Sequence, residues 1–189
     1  KFIGSCLDSL KKQTSRKFSI IVVDNGSSDG SYEYVQDSYP HVQLLRLDKN
    51  YGFPRAVNEG IKASETPFVI LLNNDTEAHE EFVEKLLYGI KKSNRLFSCG
   101  SKILEFGNRN KIDDAGGFYS SLGWAYARGK GQDSSKFTKA DEIFFACAGG
   151  AIYRKSVFEE IGYFDEDFFA YLEDVDIGYR ARSQGYKNR

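Results

Sequence analysis

Five stretches of this sequence gather polar, charged or glycine residues at the end of, or just after, an apolar run, where they could do chemistry. The densest is Phe164-Asp165-Glu166-Asp167-Phe168-Phe169-Ala170-Tyr171-Leu172-Glu173-Asp174-Val175-Asp176. Its carboxylates are candidates for general-base work, although acids at the amino end of a helix also complement its dipole, and that accounts for some of them. Leu71-Leu72-Asn73-Asn74-Asp75 ends an apolar run in an Asp flanked by acceptor amides. That set suits a hard divalent cation, since Mg²⁺ takes one or two carboxylates and completes its shell with water and phosphates. The plainer alternative is that Asp75 or Thr76 caps a helix starting near Glu77. In Val23-Asp24-Asn25-Gly26-Ser27-Ser28-Asp29-Gly30-Ser31 the two glycines make a tight turn whose backbone can approach a ligand, and Asp24 could accept a hydrogen bond from a base or ribose. A turn with a Ser or Asp N-cap reads equally well. In Asp48-Lys49-Asn50-Tyr51-Gly52-Phe53-Pro54-Arg55-Ala56-Val57-Asn58-Glu59-Gly60, Pro54 suits a first helical turn. Arg55 and Asn58 then lie near a helix amino end that welcomes anions, unless this is an ordinary loop and helix start. The adjacent Gly149 and Gly150 mark a bulge or a close approach of ligand to backbone. His41 and His79 are isolated and receive no role.

These residues need a scaffold, and the apolar pattern supplies one. Short runs at 18–23, 42–47, 67–72 and 143–153 predict buried strands. Helical stripes lie between them, at 2–12 (Phe2, Ile3, Cys6, Leu7, Leu10) and 80–92 (Phe82, Val83, Leu86, Leu87, Ile90), with shorter candidates at 32–39 and 55–63 and a helix running through Arg180. Strands alternating with helices predict an α/β fold with a mostly parallel sheet covered on both faces, whose ligands bind beyond the strands' carboxyl ends. Residues 106–140 are rich in Gly, Ser and Lys, hold Trp124 and show no sustained period, which predicts a loop region with one hairpin near the cleft.

Composition narrows the classes. The chain has 189 residues, 41% hydrophobic and 28% charged, which predicts one globular domain over 1–189. Lys+Arg 26 against Asp+Glu 27 gives a net charge of −1, without the basic excess of a nucleic-acid surface. No stretch approaches the roughly 18 apolar residues of a membrane span. Cys6, Cys99 and Cys147 are odd in number and far apart, against a disulfide scaffold or thiolate metal site and in favour of a reducing compartment. No signal peptide is visible, but the first residue is Lys, so this says little.

The segments VVDNGSSDGS, NYGFPRAVNEG, LLNNDTE and CAGGAIYRKSVFEEIGYFDEDFFAYLEDVDIGYRARSQGY resemble, in order and spacing across nearly the whole chain, glycosyltransferase family 2. These are inverting nucleotide-sugar transferases with a GT-A (Rossmann-like) fold. The NND form, the GF-xx-A-x-N-x-G block and the FxxYxEDxD ending look most like rhamnosyltransferase-type members that build bacterial surface polysaccharides. The resemblance implies transfer of a sugar from a nucleotide-diphosphate donor, such as dTDP-rhamnose or a UDP-sugar, to a hydroxyl of a glycan or lipid-linked acceptor. It implies Asp174 as catalytic base with Glu173 beside it, and Asp24, Asn50, Arg55, Asn58 and Asn74 around the nucleotide. It further implies Asp75 as ligand of a divalent cation, Mg²⁺ or Mn²⁺, and Gly149 and Gly150 lining the sugar and acceptor cleft. The expected setting is cytoplasmic, at the inner face of the membrane, with peripheral membrane association. Compared with the family pattern, the chain starts inside the first helix and stops soon after the base-bearing one. A piece trimmed at both ends is therefore expected, lacking the first strand and leaving an open sheet edge and an incomplete donor pocket. The NND element also lacks the first carboxylate of the family's DxD, which implies modest metal affinity. A sugar-nucleotide pyrophosphorylase would carry a Gly-rich loop with a downstream Arg and Lys, which is not seen. A catalytically inactive nucleotide-sugar-binding module is the alternative from a different class, and a flavodoxin-like domain would have no clear use for the paired acids.

Overall fold

A computed structural model describes residues 2–189. The chain runs α1 (Ile3–Lys11), β1 (Ile21–Asn25), α2 (Ser31–Ser38), β2 (Gln43–Leu47), α3 (Phe53–Ala63), β3 (Phe68–Leu72), α4 (Phe82–Ile90) and β4 (Leu96–Gly100). Two hairpins follow, β5 (Ile103–Glu105) with β6 (Asn108–Asp114) and β7 (Gly117–Tyr119) with β8 (Ala125–Ala127). The chain closes with β9 (Gly150–Arg154), α5 (Lys155–Ile161), α6 (Glu173–Ser183) and β10 (Lys187–Asn188).

Two sheets carry the site. β1 and β2 pair in parallel, with Asp24 opposite Arg46. The second sheet has the order β10-β4-β9-β3. In it β9 runs antiparallel to both β3 and β4, while β10 is parallel to β4. The α/β class holds, but the sheet is mixed rather than mostly parallel. A strand's direction depends on the connection leading into it, and the long excursion through both hairpins returns β9 from the opposite end. Among the described residues no ladder joins β1 to β3, so α3 bridges the two sheets. Ile61 of α3 packs into the core with Val69, Phe97, Tyr153 and Phe158, while its Gly60 lets Val23 of β1 come close.

Three of the predicted strands are found with shifted ends. The fourth shrinks to Gly150–Arg154, because residues 143–149 make only single bridges, Ile143 to Asn188 and Phe145 to Gly117. β4 has no predicted counterpart: Leu96-Phe97-Ser98-Cys99-Gly100 is a brief apolar run broken by Ser and Gly, yet its first four residues are buried. Burial there is affordable because Ser98 Oγ donates to Asn188 Oδ1 at 2.8 Å, leaving no orphaned hydroxyl. The region 106–140 holds parts of two hairpins instead of one.

Candidate active site

The predicted residues collect at the carboxyl ends of β1 and β3, the start of β9 and the amino end of α6. Asp24 is buried (6% exposed), accepts from the Ser27 N–H at 3.3 Å and lies 3.8 Å from Arg46 Nε. Beside it opens a hollow of about 480 Å³ lined by Gly26, Ser27, Arg46, Leu47 and Asp48. Gly26 has φ 74°, and a Cβ there would lie 2.5 Å from the Lys49 backbone, so only glycine lets the two turns meet. Asn50 Oδ1 accepts from Asn25 Nδ2 at 2.9 Å and from the Gly52 N–H at 2.9 Å, so Asn50 shapes the wall of this turn.

Asn74 and Asp75 are exposed at the end of β3. Antiparallel pairing sets Leu72 against Gly150, and the Asn73 N–H donates to Gly149 O at 3.0 Å, so the NND segment abuts the glycine pair. A Cβ at Gly149 would lie 3.0 Å from Asn73 Nδ2 and one at Gly150 2.8 Å from Ser101 Oγ. At both glycines the protein's own chain comes close, Asn73 at one and Ser101 at the other. Among the described residues no group of three or more His, Cys, Asp or Glu side chains is placed to hold a metal ion. Asp75 at an open strand end fits a cation that takes most of its ligands from phosphates and water.

The carboxylates of residues 165–176 divide by their partners. Asp165 caps a single 3₁₀ turn by accepting from the Asp167 N–H at 3.0 Å. Glu166 pairs with Arg55 at 2.9 Å and with Asn58 Nδ2 at 3.1 Å, and Asp176 pairs with Arg180 at 2.7 Å. Arg180 also donates to the Ile161 and Tyr163 carbonyls, at 2.7 and 2.8 Å, which pins α6 in place. Capping and ion pairing therefore account for these acids, and of the three only Asp176 lies in the first turn of α6, where it complements the dipole. Asp174 differs. Among the described residues it has no cationic partner; it accepts from the Val175 N–H at 2.9 Å and lies against the Ala148 backbone, one residue from the glycine pair. Burial first, and then the charge of Glu173, push its carboxyl up to about 6.

Three expectations change once the side chains are placed. Asn58 is 2% exposed and both amide hydrogens are taken, by Phe164 O at 2.8 Å and by Glu166, while its Oδ1 accepts from the Phe164 N–H at 3.1 Å. It braces the segment leading to the acids and presents no free donor to a ligand. Arg55 is held between Glu166 and Glu59 rather than standing open to an anion. Glu173 is buried, burial pushes its pKa up, and its Oε2 has no hydrogen-bond partner among the described residues. Its carboxyl is thus buried rather than exposed beside Asp174.

Asp114 was not singled out by the sequence. It ends β6, accepts from the Gly116 N–H at 2.7 Å, is raised by burial, and its charge reaches Asp174. The signal was present in Ile112-Asp113-Asp114-Ala115-Gly116-Gly117, an apolar residue followed by acids and a glycine pair, the same grammar as at Asp75 and Gly149. It was hidden inside a stretch without apolar period.

Comparison with known proteins agrees with this layout. A family model, "Glycosyl transferase family 2", matches residues 1–162. The chain is 27% identical over 202 aligned positions to the N-acetylglucosaminyl-diphospho-decaprenol L-rhamnosyltransferase of Mycobacterium tuberculosis, covering 95% of this chain and 66% of that protein. Among solved structures it superimposes on GalNAc-T7 with UDP, GalNAc and Mn²⁺ (TM-score 0.75, 18% identity, 97% of this chain and 38% of that one). It also superimposes on mannosyltransferase PcManGT from Pyrobaculum calidifontis with GDP-Man and Mn²⁺ (TM-score 0.69, 14% identity, 99% and 50%). The chain thus spans just under two thirds of the rhamnosyltransferase and half or less of the two structures. With four motifs at or next to strand ends and a family match over most of the length, this chain belongs to glycosyl transferase family 2 and has the GT-A fold.

Proposed function

We propose that the chain is the catalytic domain of an inverting glycosyltransferase that moves a sugar from a nucleotide-diphosphate donor to a hydroxyl of a glycan or lipid-linked acceptor in surface-polysaccharide synthesis. The observation that carries this reading is Asp174, a carboxylate without a cation partner among the described residues, raised to about 6, and set beside the glycine pair next to the NND segment. The rhamnosyltransferase relative supports a lipid-linked acceptor and a deoxyhexose donor such as dTDP-rhamnose, while the two structures hold GDP-Man or UDP with Mn²⁺.

In this mechanism the nucleotide lies in the hollow beside Gly26 and Ser27, with Asp24 accepting from its base or ribose and the Asn50 turn forming the wall. Asp75 would hold a divalent cation, with Asn74 beside it towards the nucleotide, and the cation would neutralise charge on the diphosphate. The backbone at Gly149 and Gly150 lines the place of the sugar. Asp174 takes the proton of the acceptor hydroxyl as that oxygen bonds to the anomeric carbon. The bond from this carbon to the diphosphate oxygen breaks on the opposite face, its electron pair leaves with the diphosphate, and the configuration inverts. Base catalysis of this kind contributes about 10²–10⁴-fold, and holding the reactants in line supplies as much or more. Arg55 and Asn58 act indirectly, through Glu166 and Phe164. No helix among the described residues is long and apolar enough to cross a membrane. Contact with a lipid-linked acceptor at the cytoplasmic face is peripheral in this reading.

A panel of nucleotide-diphosphate sugars tests the proposal, with Mn²⁺ present and release of nucleoside diphosphate as the readout. One donor is expected to be consumed, and chelator is expected to stop it. Failure to bind or consume any donor in the panel would overturn the reading.

A further inference from the structure

The segment that leads into the base-bearing helix is held in a conformation that side chains avoid. Phe169, Tyr171 and Leu172 have φ of 54, 70 and 68°, and all three are non-glycine residues. Such a run persists only where its surroundings over-determine it. The restraint comes from the nucleotide side of the cleft. The Phe53 N–H donates to Phe169 O at 2.7 Å, and Gly52 approaches so closely that a Cβ there would lie 2.4 Å from that oxygen. Gly52 is itself held by Asn25, whose Nδ2 donates to Gly52 O at 3.0 Å and to Asn50 Oδ1 at 2.9 Å, while its Oδ1 accepts from the Tyr51 N–H at 3.0 Å. At the far end the Glu173 carboxyl is buried, and its Oε2 stays without a partner among the described residues. A strained turn ending in an unsatisfied buried oxygen is not self-sufficient, so its contact at Phe169 matters.

We infer that Asn25 is a positioning residue for the transfer reaction: through Gly52 and Phe53 it fixes Phe169, and thereby the left-handed turn at Tyr171 and Leu172 that starts α6 and sets Asp174 at the cleft. Asn25 adjoins Gly26, which lines the hollow, so filling that hollow steadies the turn before the base. The inference rests on the reading of Asp174 as base, and goes beyond it by linking two ends of the cleft that share no strand pairing.

Hydrogen exchange at the amides of residues 169–175 and steady-state kinetics, both on Asn25→Ala, test it. Exchange in this segment is expected to rise about tenfold or more, the loss of most of one hydrogen bond's protection. Nucleoside diphosphate with Mn²⁺ is expected to slow this exchange in the parent protein but not in the variant. The kcat is expected to fall by up to about 10²-fold, as for a base displaced by an ångström, with donor KM nearly unchanged. Asn25→Asp keeps the acceptor for Tyr51 and removes the donor shared by Gly52 and Asn50, and it decides the matter if the alanine variant does not fold. Exchange at 169–175 equal to the parent's, or a raised KM with intact kcat, would overturn the inference. Asp174→Asn measured alongside separates the two failures: if it keeps its turnover the base reading is wrong, while the exchange result still judges the Asn25 link.

Discussion

Burial and the neighbouring charge of Glu173, followed by that of Asp114, raise the proton affinity of Asp174, so its carboxyl titrates near pH 6. A base must be ionised to act, so transfer is expected to rise through pH 6 and level off above 7. Asp114→Asn removes one negative charge from this neighbourhood and should move the acid limb of the profile to lower pH; a limb that stays or moves upward contradicts the assigned contact. The same shift bears on stability, with a definite sign. The folded pKa lies above the ordinary 3.8, so the neutral form is favoured by folding, and the ionised form above pH 6 works against it. Asp174→Asn should therefore be more stable than the parent at pH 7.5, by up to about 3 kcal/mol at about 1.4 kcal/mol per unit. That gain should fade as pH falls towards 4, and urea titrations at the two pH values would show it. Asp174 could be picked out in the sequence because a paired acid before an amphipathic run is conspicuous. Its raised pKa was legible only in part: burial, its largest cause, and the charge of Asp114 sixty residues away arise on folding, whereas the charge of Glu173 stands next to it in the chain.

At the scale of elements, α3 does more than its sequence suggests. Its Asn58 satisfies both the N–H and the carbonyl of Phe164 under cover, tying the segment that carries the acids to the helix bridging both sheets. Asn58→Ala leaves these two groups unpaired and should cost about 1–3 kcal/mol, seen as a lower urea midpoint with unchanged slope. A midpoint within error of the parent's would mean that the brace is dispensable. An Asn at the start of a helix reads as an anion ligand as readily as a buried clamp, because residue type and spacing are the same for both. The apolar runs exposed β1, β2 and β3, whose side chains are mostly Val, Ile, Leu and Phe. They did not expose β4 or the direction of β9. The first depends on Ser98 finding Asn188 at the end of the chain, and the second on where the hairpins return it. Neither fact resides in a local window.

At the scale of the whole molecule the proposal requires parts that lie far apart in the chain to act on one ligand, and ligand linkage should reveal it. A nucleoside diphosphate that binds only the folded state stabilises it by about 2.7 kcal/mol at a hundredfold excess over Kd. The melting temperature is thus expected to rise with nucleotide and Mn²⁺ together. Asp75→Ala should lose the part of that rise which depends on the cation; a rise indifferent to chelator in the parent would remove Asp75 from the site. Near-zero net charge leaves little general attraction for anions, so binding must come from these few groups. The most direct measurement of the account is the transfer rate of Asp174→Asn on a nucleotide-diphosphate sugar, in a sample whose donor binding has been titrated. The account predicts donor binding close to the parent's with transfer lower by about 10²-fold or more, and near-normal turnover would contradict it.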